Sequence, residues 1–290
     1  MFGVFLYVEY ANMNLKSNNK QLSLNTPQVM GILNVTPDSF SDGGAFNNIA
    51  DALLRAEKMI EAGVAIIDIG GESTRPGAAK VTLQEELART IPVIKAIRKK
   101  HDVWISIDTS KAEVMRQALD AGADIINDVR ALTEPNALDV AALFDAPVCL
   151  MHMQGQPQTM QTNPVYEDLF TEVEQFLSQR VQACSEAGID SSRIILDPGF
   201  GFGKSLQHNY QLLDTLEQFH SFGFPLLVGM SRKSMLFNLL NKKPAETMAA
   251  SISCATIAAL KGAQIIRVHD FEETLDALKV VQCLTENKYK

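Results

Sequence analysis

The amino-acid sequence predicts a single-domain α/β protein, a (β/α)8 TIM barrel, and three observations predict it. Eight short apolar runs recur from residue 29 onward. Each run ends in polar or glycine residues, and an amphipathic stretch follows each one, in units of roughly thirty residues. An open doubly wound sheet is the main competitor, because periodicity alone does not separate the two. The even count of runs and the absence of a linker favour the barrel.

The runs, in order, are VMGILNV (29–35), AIIDIG (65–70), VWISIDT (103–109), DIINDV (124–129), PVCLMH (147–152), RIILDPG (193–199), PLLVGMS (225–231) and IIRVHD (265–270). Each is apolar without alternation, as parallel strands covered on both faces should be. The stretches between them carry helical spacing. Ile49, Leu53, Ala56 and Ile60 share one face after the first run, as do Phe271, Leu275, Leu278 and Val281 after the last. Gly63, Gly122, Gly188 and Gly262 close periodic stretches ahead of strands, the position of a helix C-cap. Nothing divides residues 28–290, so one barrel domain is expected there. Residues 1–27 are expected to be an N-terminal extension, either poorly ordered or a non-native start upstream of Met13. The opening MFGVFLYVEYA is apolar but lacks a basic n-region and a small-residue cleavage site, and Glu9 interrupts it, so it does not read as a signal peptide.

Composition narrows the function. The chain has 290 residues, 46% of them hydrophobic and 21% charged, which is ordinary for a globular protein. That length allows one large domain or two smaller ones. With 34 acidic against 26 basic residues the formal net charge is -8, so nucleic acid is not an expected partner. No apolar run is long enough to cross a bilayer. The four cysteines (Cys149, Cys184, Cys254 and Cys283) lie far apart with no C-x-x-C pair, which predicts reduced thiols and a cytoplasmic location.

Chemistry concentrates at the run ends, which in a barrel converge on one mouth. Those positions carry Asn34, Asp68, Asp108, Asn127, Asp128, Met151, His152, Asp197, Ser231, Arg232, Lys233, Arg267 and His269. Charged and amide groups at all eight ends exceed what turns require, so a site is favoured over a purely structural barrel. Singly, each is weaker. Asp38, Asp68 and Asp128 are each open to the bland reading of a helix N-cap. Asp108 has competitors for that role in Thr109 and Ser110, which frees its carboxylate. His101 and His220 fall at helix ends or loops and read as solvated, and His208 reads as structural. The segment DPGFGFGKS (197–205) is no P-loop, since only three residues separate Gly199 from Gly203. The glycine- and proline-rich stretches TPDSFSDGGAF (36–46) and GESTRPGAAK (71–80) read as long substrate loops, with Arg75 a possible clamp for a carboxylate or phosphate.

Taken together, GILNVTPDSFSDGG (31–44), DIGGESTRPGA (68–78), ISIDTSK (105–111), INDV (126–129), LMHMQGQPQTMQ (150–161), ILDPGFGFGKSLQHN (195–209), LVGMSRKSML (227–236) and IIRVHDFEET (265–274) resemble the blocks of the dihydropteroate synthase family, in order. The resemblance implies condensation of a dihydropterin-methyl diphosphate with 4-aminobenzoate, a step of folate biosynthesis and a target of sulfonamides. It also implies that Thr74, Asp108, Asn127, Met151, Asp197, Phe202, Lys233, Arg267 and His269 bind the pterin diphosphate. Thr74, Arg75, Pro76, Ser231 and Lys233 are expected to meet 4-aminobenzoate, and Asp38, Ser39, Phe40 and Asp42 to lie on a mobile loop. Asp108, Asp197, Lys233 and Arg267 are the implied catalytic set, with Asn34 the protein ligand of a Mg2+ cofactor. A homodimer is implied as well. The sequence departs from the family pattern at Phe237, Thr247 and Ala250, all expected to sit away from the ligands, and at Ala79-Lys80. Rival readings are a pterin-binding methyltransferase barrel, which lacks the TPDSFSDGG and SRKS blocks, a Schiff-base aldolase using Lys233, and an inactive scaffold.

Overall fold

The structure is a computed structural model in which residues 13–36, 45–74, 78–156 and 159–285 are described. Two short strands come first, β1 (Asn14–Ser17) and β2 (Lys20–Ser23). The expected alternation follows: β3 (Gln28–Asn34), α1 (Ala45–Ala62), β4 (Ile66–Gly70), α2 (Leu83–Lys100), β5 (Trp104–Asp108), α3 (Ala112–Asp120), β6 (Ile125–Asp128), α4 (Ala137–Leu143), β7 (Val148–Met151), α5 (Leu169–Glu186), β8 (Ile194–Asp197), α6 (Leu206–Asp214), β9 (Leu227–Val228), α7 (Ser234–Leu240), α8 (Met248–Leu260), β10 (Ile265–Val268) and α9 (Phe271–Thr285). The parallel order β8-β7-β6-β5-β4-β3-β10-β9 places sequential strands side by side. A parallel bridge between Leu196 and Leu226 joins the two ends, so the sheet curls into a nearly closed barrel. All eight expected runs become strands, although the seventh contributes only two ladder residues.

Strand parity explains how one apolar run serves two cores. Alternate residues such as Leu33, Ile67, Ile107, Val148, Leu196 and Val268 face outward into the layer shared with the helices. The intervening residue at the start of each strand faces inward. Met30, Ile66, Trp104, Ile125, Cys149, Ile195, Leu227 and Ile265, one from every strand, fill the barrel's lower interior as a single cluster. Two residues further along, the inward positions are Ile32, Asp68, Ser106, Asn127, Met151, Asp197, Gly229 and Arg267. The interior therefore changes in one step of the pleat from an all-apolar layer to one that holds Asp68, Ser106, Asn127, Asp197 and Arg267.

The helices end as their residues predict. Gly63, Gly122, Gly188 and Gly262 all have positive φ where helix gives way to strand. Thr82 and Glu85 form a capping box that starts α2.

The expectation for residues 1–27 needs correction from residue 13 onward. β1 and β2 form an antiparallel hairpin, Asn14 opposite Ser23. Leu15 and Leu24 are fully buried against the lower cluster and close the bottom of the barrel. Lys20 Nζ donates to the Val103 carbonyl at 3.0 Å and lies 3.2 Å from Asp124 Oδ2, tying the hairpin to the start of β5. The barrel floor of eight apolar side chains needs a cover, and this hairpin supplies it. Residues 1–12 lie outside the described residues.

Candidate active site

At the C-terminal mouth the inward polar layer surrounds a cavity of about 1060 Å3. Asn34, Thr74, Asp108, Phe202, Lys233 and Arg267 all line it, as do Ser231 and His269. Each rides on a strand end or the first residues beyond it, where parallel strands hold the backbone rigid and leave side chains free to converge.

Arg267 on β10 is the centre of the charge network. Its Nε donates to Asp68 Oδ2 at 2.6 Å and its Nη2 donates to Asp108 Oδ2 at 2.7 Å. Asn127 Nδ2 also donates to Asp68 Oδ2, at 3.1 Å. Burial opposes the charge on Arg267, but the two carboxylates outweigh it and raise the guanidinium pKa further. For Asp108 the dominant influence is burial, which raises its pKa, while Arg267 pulls it back. A guanidinium held at two corners cannot wander; its flat face is fixed for stacking on a planar ligand.

Across the mouth, Asp197 on β8 accepts the Gly199 N–H at 2.7 Å. Burial raises its pKa against the pull of Lys233. Lys233 Nζ donates to the Phe200 carbonyl at 2.6 Å and stands 4.4 Å from the centroid of the Phe202 ring. Burial lowers its pKa to about 8, opposed by Asp197. Phe202 packs with Val129, Met151 and Met160 in a small apolar cluster, a wall suited to one side of an aromatic ring. Carboxylate and amide at the floor, cation at one edge and apolar wall beside it together define a slot for a flat heterocycle with both donors and acceptors. Ser231 Oγ meets His269 Nδ1 at 3.1 Å and accepts the His269 N–H at 3.2 Å, pinning that histidine at the rim.

The structure thus gathers Asn34, Thr74, Asp108, Asn127, Met151, Asp197, Phe202, Ser231, Lys233, Arg267 and His269 at one mouth. Arg75 and Pro76, and the loop residues Asp38, Ser39, Phe40 and Asp42, lie outside the described residues. Several single-residue readings change. Asp68 is no helix cap, being fully buried in the ion pair with Arg267. Asp128 does behave as a turn cap, accepting the N–H groups of Arg130 and Leu132. Neither Thr109 nor Ser110 takes the N-cap of α3, which falls to Lys111. His220 is not merely solvated; its Nε2 lies 2.9 Å from the Lys261 carbonyl. His208 is structural, closing a capping box with Ser205. Phe237 lines the cavity, contrary to the expectation that it sits apart from ligands.

One site pair was not visible beforehand. Lys204 is 1% exposed, and its Nζ meets the Gly199 and Phe202 carbonyls and His152 Nδ1 at 3.0, 3.2 and 2.9 Å. Burial lowers its pKa to about 7 and, with Lys204 beside it, lowers that of His152 to about 2. Lys204 knots the loop that carries Asp197 and Phe202. The only hint lay in DPGFGFGKS, where a lysine follows glycines too closely spaced for a phosphate loop.

Residues 30–269 match the family described as pterin binding enzyme, and fold and slot together place the chain among pterin-binding barrel enzymes. More narrowly, the chain belongs to the dihydropteroate synthase family. It is 56% identical over 276 residues to the dihydropteroate synthase of Escherichia coli (strain K12), covering 95% of this chain and 98% of that one. It is equally 56% identical, over 270 residues, to that of Haemophilus influenzae, covering 93% and 98%. The structure of Yersinia pestis dihydropteroate synthase with a sulfonamide drug complex superposes with a TM-score of 0.91 at 55% identity, covering 94% of this chain and 100% of that one. That of Xanthomonas albilineans with 4-aminobenzoic acid gives 0.89 at 45%, covering 94% and 98%.

Proposed function

We propose that the chain condenses (7,8-dihydropterin-6-yl)methyl diphosphate with 4-aminobenzoate, giving 7,8-dihydropteroate and pyrophosphate. The observation that carries this reading is the placement of Asn34, Thr74, Asp108, Lys233, Arg267 and His269 on one cavity. The pterin lies in the slot, its amino and N–H edge toward Asp197 and Asn127 and its carbonyl edge toward Lys233. Its diphosphate points to Asn34 and His269 at the rim, and 4-aminobenzoate approaches past Thr74 and Ser231. The C–O bond between methylene and diphosphate breaks, its electron pair leaving with pyrophosphate. The arylamine lone pair forms the new C–N bond and the nitrogen then gives up a proton. As positive charge grows on the methylene and spreads into the ring, the buried carboxylates of Asp108 and Asp197 stabilise it. An arylamine is already neutral at pH 7, so no strong base is needed to activate it.

A Mg2+ ion fits the donor set. The described residues contain no group of three or more His, Cys, Asp or Glu able to hold a metal. Asn34 offers a hard, neutral amide oxygen; a Cβ built on Gly70 would stand 3.6 Å from both that oxygen and Asp108 Oδ2. One protein oxygen completed by substrate oxygens suits Mg2+. When bound, the ion would neutralise diphosphate charge, and Asn34 would be its protein ligand. The test is pyrophosphate release from the purified chain with both substrates and Mg2+. No release ends the reading, and borohydride trapping of a carbonyl compound on Lys233 would favour the aldolase instead. Asp197→Ala should abolish pterin binding, whereas Arg75→Ala should chiefly impair use of 4-aminobenzoate.

The same reading extends to a cytoplasmic homodimer. No described helix is long and apolar enough to cross a membrane, and all four cysteines are free thiols. Leu239, Leu240, Met248 and Ile257 on α7 and α8 stay exposed, a candidate dimer face that sedimentation analysis tests directly.

A further inference from the structure

We infer that Lys111 is a positioning residue, the joint through which the segment carrying Thr74 is held in register with the turn carrying Asp108. The inference rests on the proposed function, since it assigns Thr74 to the 4-aminobenzoate side of that site.

Lys111 precedes α3 and its Nζ bonds two carboxylates at once, Glu72 Oε2 from the stretch after β4 and Glu86 Oε2 from α2. Glu86 is 1% exposed, and its other oxygen accepts the Thr109 hydroxyl at 2.5 Å. The other oxygen of Glu72 accepts the Val81 N–H at 3.2 Å. Burial opposes the charge on Lys111, but the two carboxylates raise its pKa, so the bridge is ionic. The cluster is closed: one ammonium, two carboxylates, one hydroxyl and one backbone amide satisfy one another.

Both ends of the stretch from Gly71 to Val81 are thereby fixed to α2. At the front, the Gly71 carbonyl accepts from Arg89 Nη1 at 2.8 Å. The approach is close enough that a Cβ on Gly71 would meet Thr90 Cγ2 at 2.8 Å and Glu86 Cγ at 3.0 Å. At the back, Glu72 folds over to hold Val81. Between these pins, Ser73 and Thr74 line the cavity, as Glu72 itself does. On the opposite side of the joint, Thr109 directly follows Asp108, and Ser110 donates to Asp128 Oδ1 at 2.5 Å. Lys111 therefore connects two substrate-facing segments beyond the strand ends, above the Asp68–Arg267–Asp108 bridge that joins the strands themselves. The pterin floor touches this cluster only through the backbone, where the Asn127 carbonyl accepts the Thr109 N–H at 3.1 Å; the side-chain bonds of Asp197, Asn127 and Lys233 go elsewhere.

Removing the ammonium leaves Glu86 buried beside Glu72 with nothing to offset their repulsion. Glu72 swings away, Val81 loses its acceptor, and Thr74 loses its placement, while the pterin slot stays intact. A merely structural ion pair would instead lower thermal stability and affect both substrates alike.

The test uses the full chain with Lys111→Met, Lys111→Arg and Glu72→Gln. Misplacement of a positioning segment should raise KM for 4-aminobenzoate roughly tenfold or more in Lys111→Met, with KM for the pterin diphosphate within about twofold. Lys111→Arg should recover much of the loss. Glu72→Gln keeps an acceptor for Val81 but loses the ionic bond, and sits in a half-exposed stretch, so it folds even if Lys111→Met does not; it should show the same split, smaller. Hydrogen exchange at the Val81 amide should quicken in Lys111→Met and Glu72→Gln. An equal rise in both KM values, no rise in either, or unchanged Val81 exchange overturns the inference. A wild-type chain that releases no pyrophosphate sinks the proposed function instead, and the exchange measurement still decides whether the joint exists.

Discussion

Replacing Arg267 with methionine exposes what the buried network does. Asp68 is fully buried and Asp108 has 12% of its side chain exposed, and both lean on one guanidinium at 2.6 and 2.7 Å. Asp68 Oδ1 has no hydrogen-bond partner, so that carboxylate depends on its other oxygen. Methionine fills similar volume but leaves two buried carboxylates facing each other without a counter-charge, a change that costs about 3–5 kcal/mol. In a chain of this size that is roughly 6–12 °C in Tm. The pH dependence has a definite sign. Without Arg267 nothing opposes the burial that already raises the Asp108 pKa, so the folded variant holds a proton that the unfolded chain has released. Stability of the variant is then best at low pH and lost as pH rises through the raised Asp108 value. The deficit relative to wild type should be small near pH 4.5 and full at pH 8. Thermal and urea unfolding at both values measures it, and adding Asp68→Asn to Arg267→Met should recover about 1 kcal/mol or more at pH 8. A deficit under about 1 kcal/mol at pH 8, or one that does not change with pH, would refute the assignment of Arg267 as the counter-charge for both acids.

Three further outcomes follow from the same geometry. At Gly199, φ is +75° and an added Cβ would stand 1.8 Å from the His152 carbonyl oxygen, whereas at Gly63 φ is +97° with nothing within 4 Å. Gly63→Ala should therefore cost only the backbone term of about 1–2 kcal/mol, and urea titration should find Gly199→Ala at least twice as damaging, with pterin binding lost as well. Lys204 titrates near 7 when folded against an ordinary value of 10.5, so the unfolded chain binds more protons between them. Its contribution to stability should rise with pH across that window, and Lys204→Met should flatten the rise; an unchanged slope between pH 7 and 10 would contradict the burial. Finally, Asp68 Oδ1 and Ser106 Oγ, register partners on β4 and β5, are both buried without partners. A crystal structure should show an ordered water serving both, and a dry, unpaired Asp68 would contradict this.

The barrel was legible because parallel strands buried on both faces must be apolar throughout, and eight such runs leave few other folds. What those runs hide is parity. Asp68 looked like a turn residue when taken alone, yet it follows the inward Ile66 by two and must face the interior, as Asn127 follows Ile125 and Arg267 follows Ile265. Counting by two from the lower cluster recovers the floor of the site. The hairpin of β1 and β2 was not legible, because ten mostly polar residues with two leucines show neither period, and their role exists only once a barrel floor needs covering. Lys204 and Lys111 escaped for a related reason. The carboxylates that Lys111 bonds come from different elements, and Lys204 turns back on the carbonyls of its own loop and on His152, so spacing along the chain shows the Lys111 bridge not at all and Lys204 only as an odd lysine after glycines.

The charge balance at the mouth sharpens how a chain at -8 would take a dianionic substrate. Asp68, Asp108 and Asp197 face Arg267, Lys233 and Lys204, three acids against three bases, and the bonds show how they are spent. Arg267 is already countered twice over, and Lys233 and Lys204 answer Asp197 and the carbonyls of its loop. The described floor is therefore close to neutral before any ligand arrives, and it suits the pterin ring better than the phosphates. Under the proposed function, affinity for the diphosphate would come from the rim, from His269, Asn34 and the ion proposed there. This division has a chemical use. In the proposed reaction, pyrophosphate would depart toward the rim, and the cation left on the methylene would face carboxylates whose charge is held in place by buried bonds and needs no rearrangement to respond. The arrangement that keeps the floor from attracting phosphate is the same one that lets it stabilise the cation.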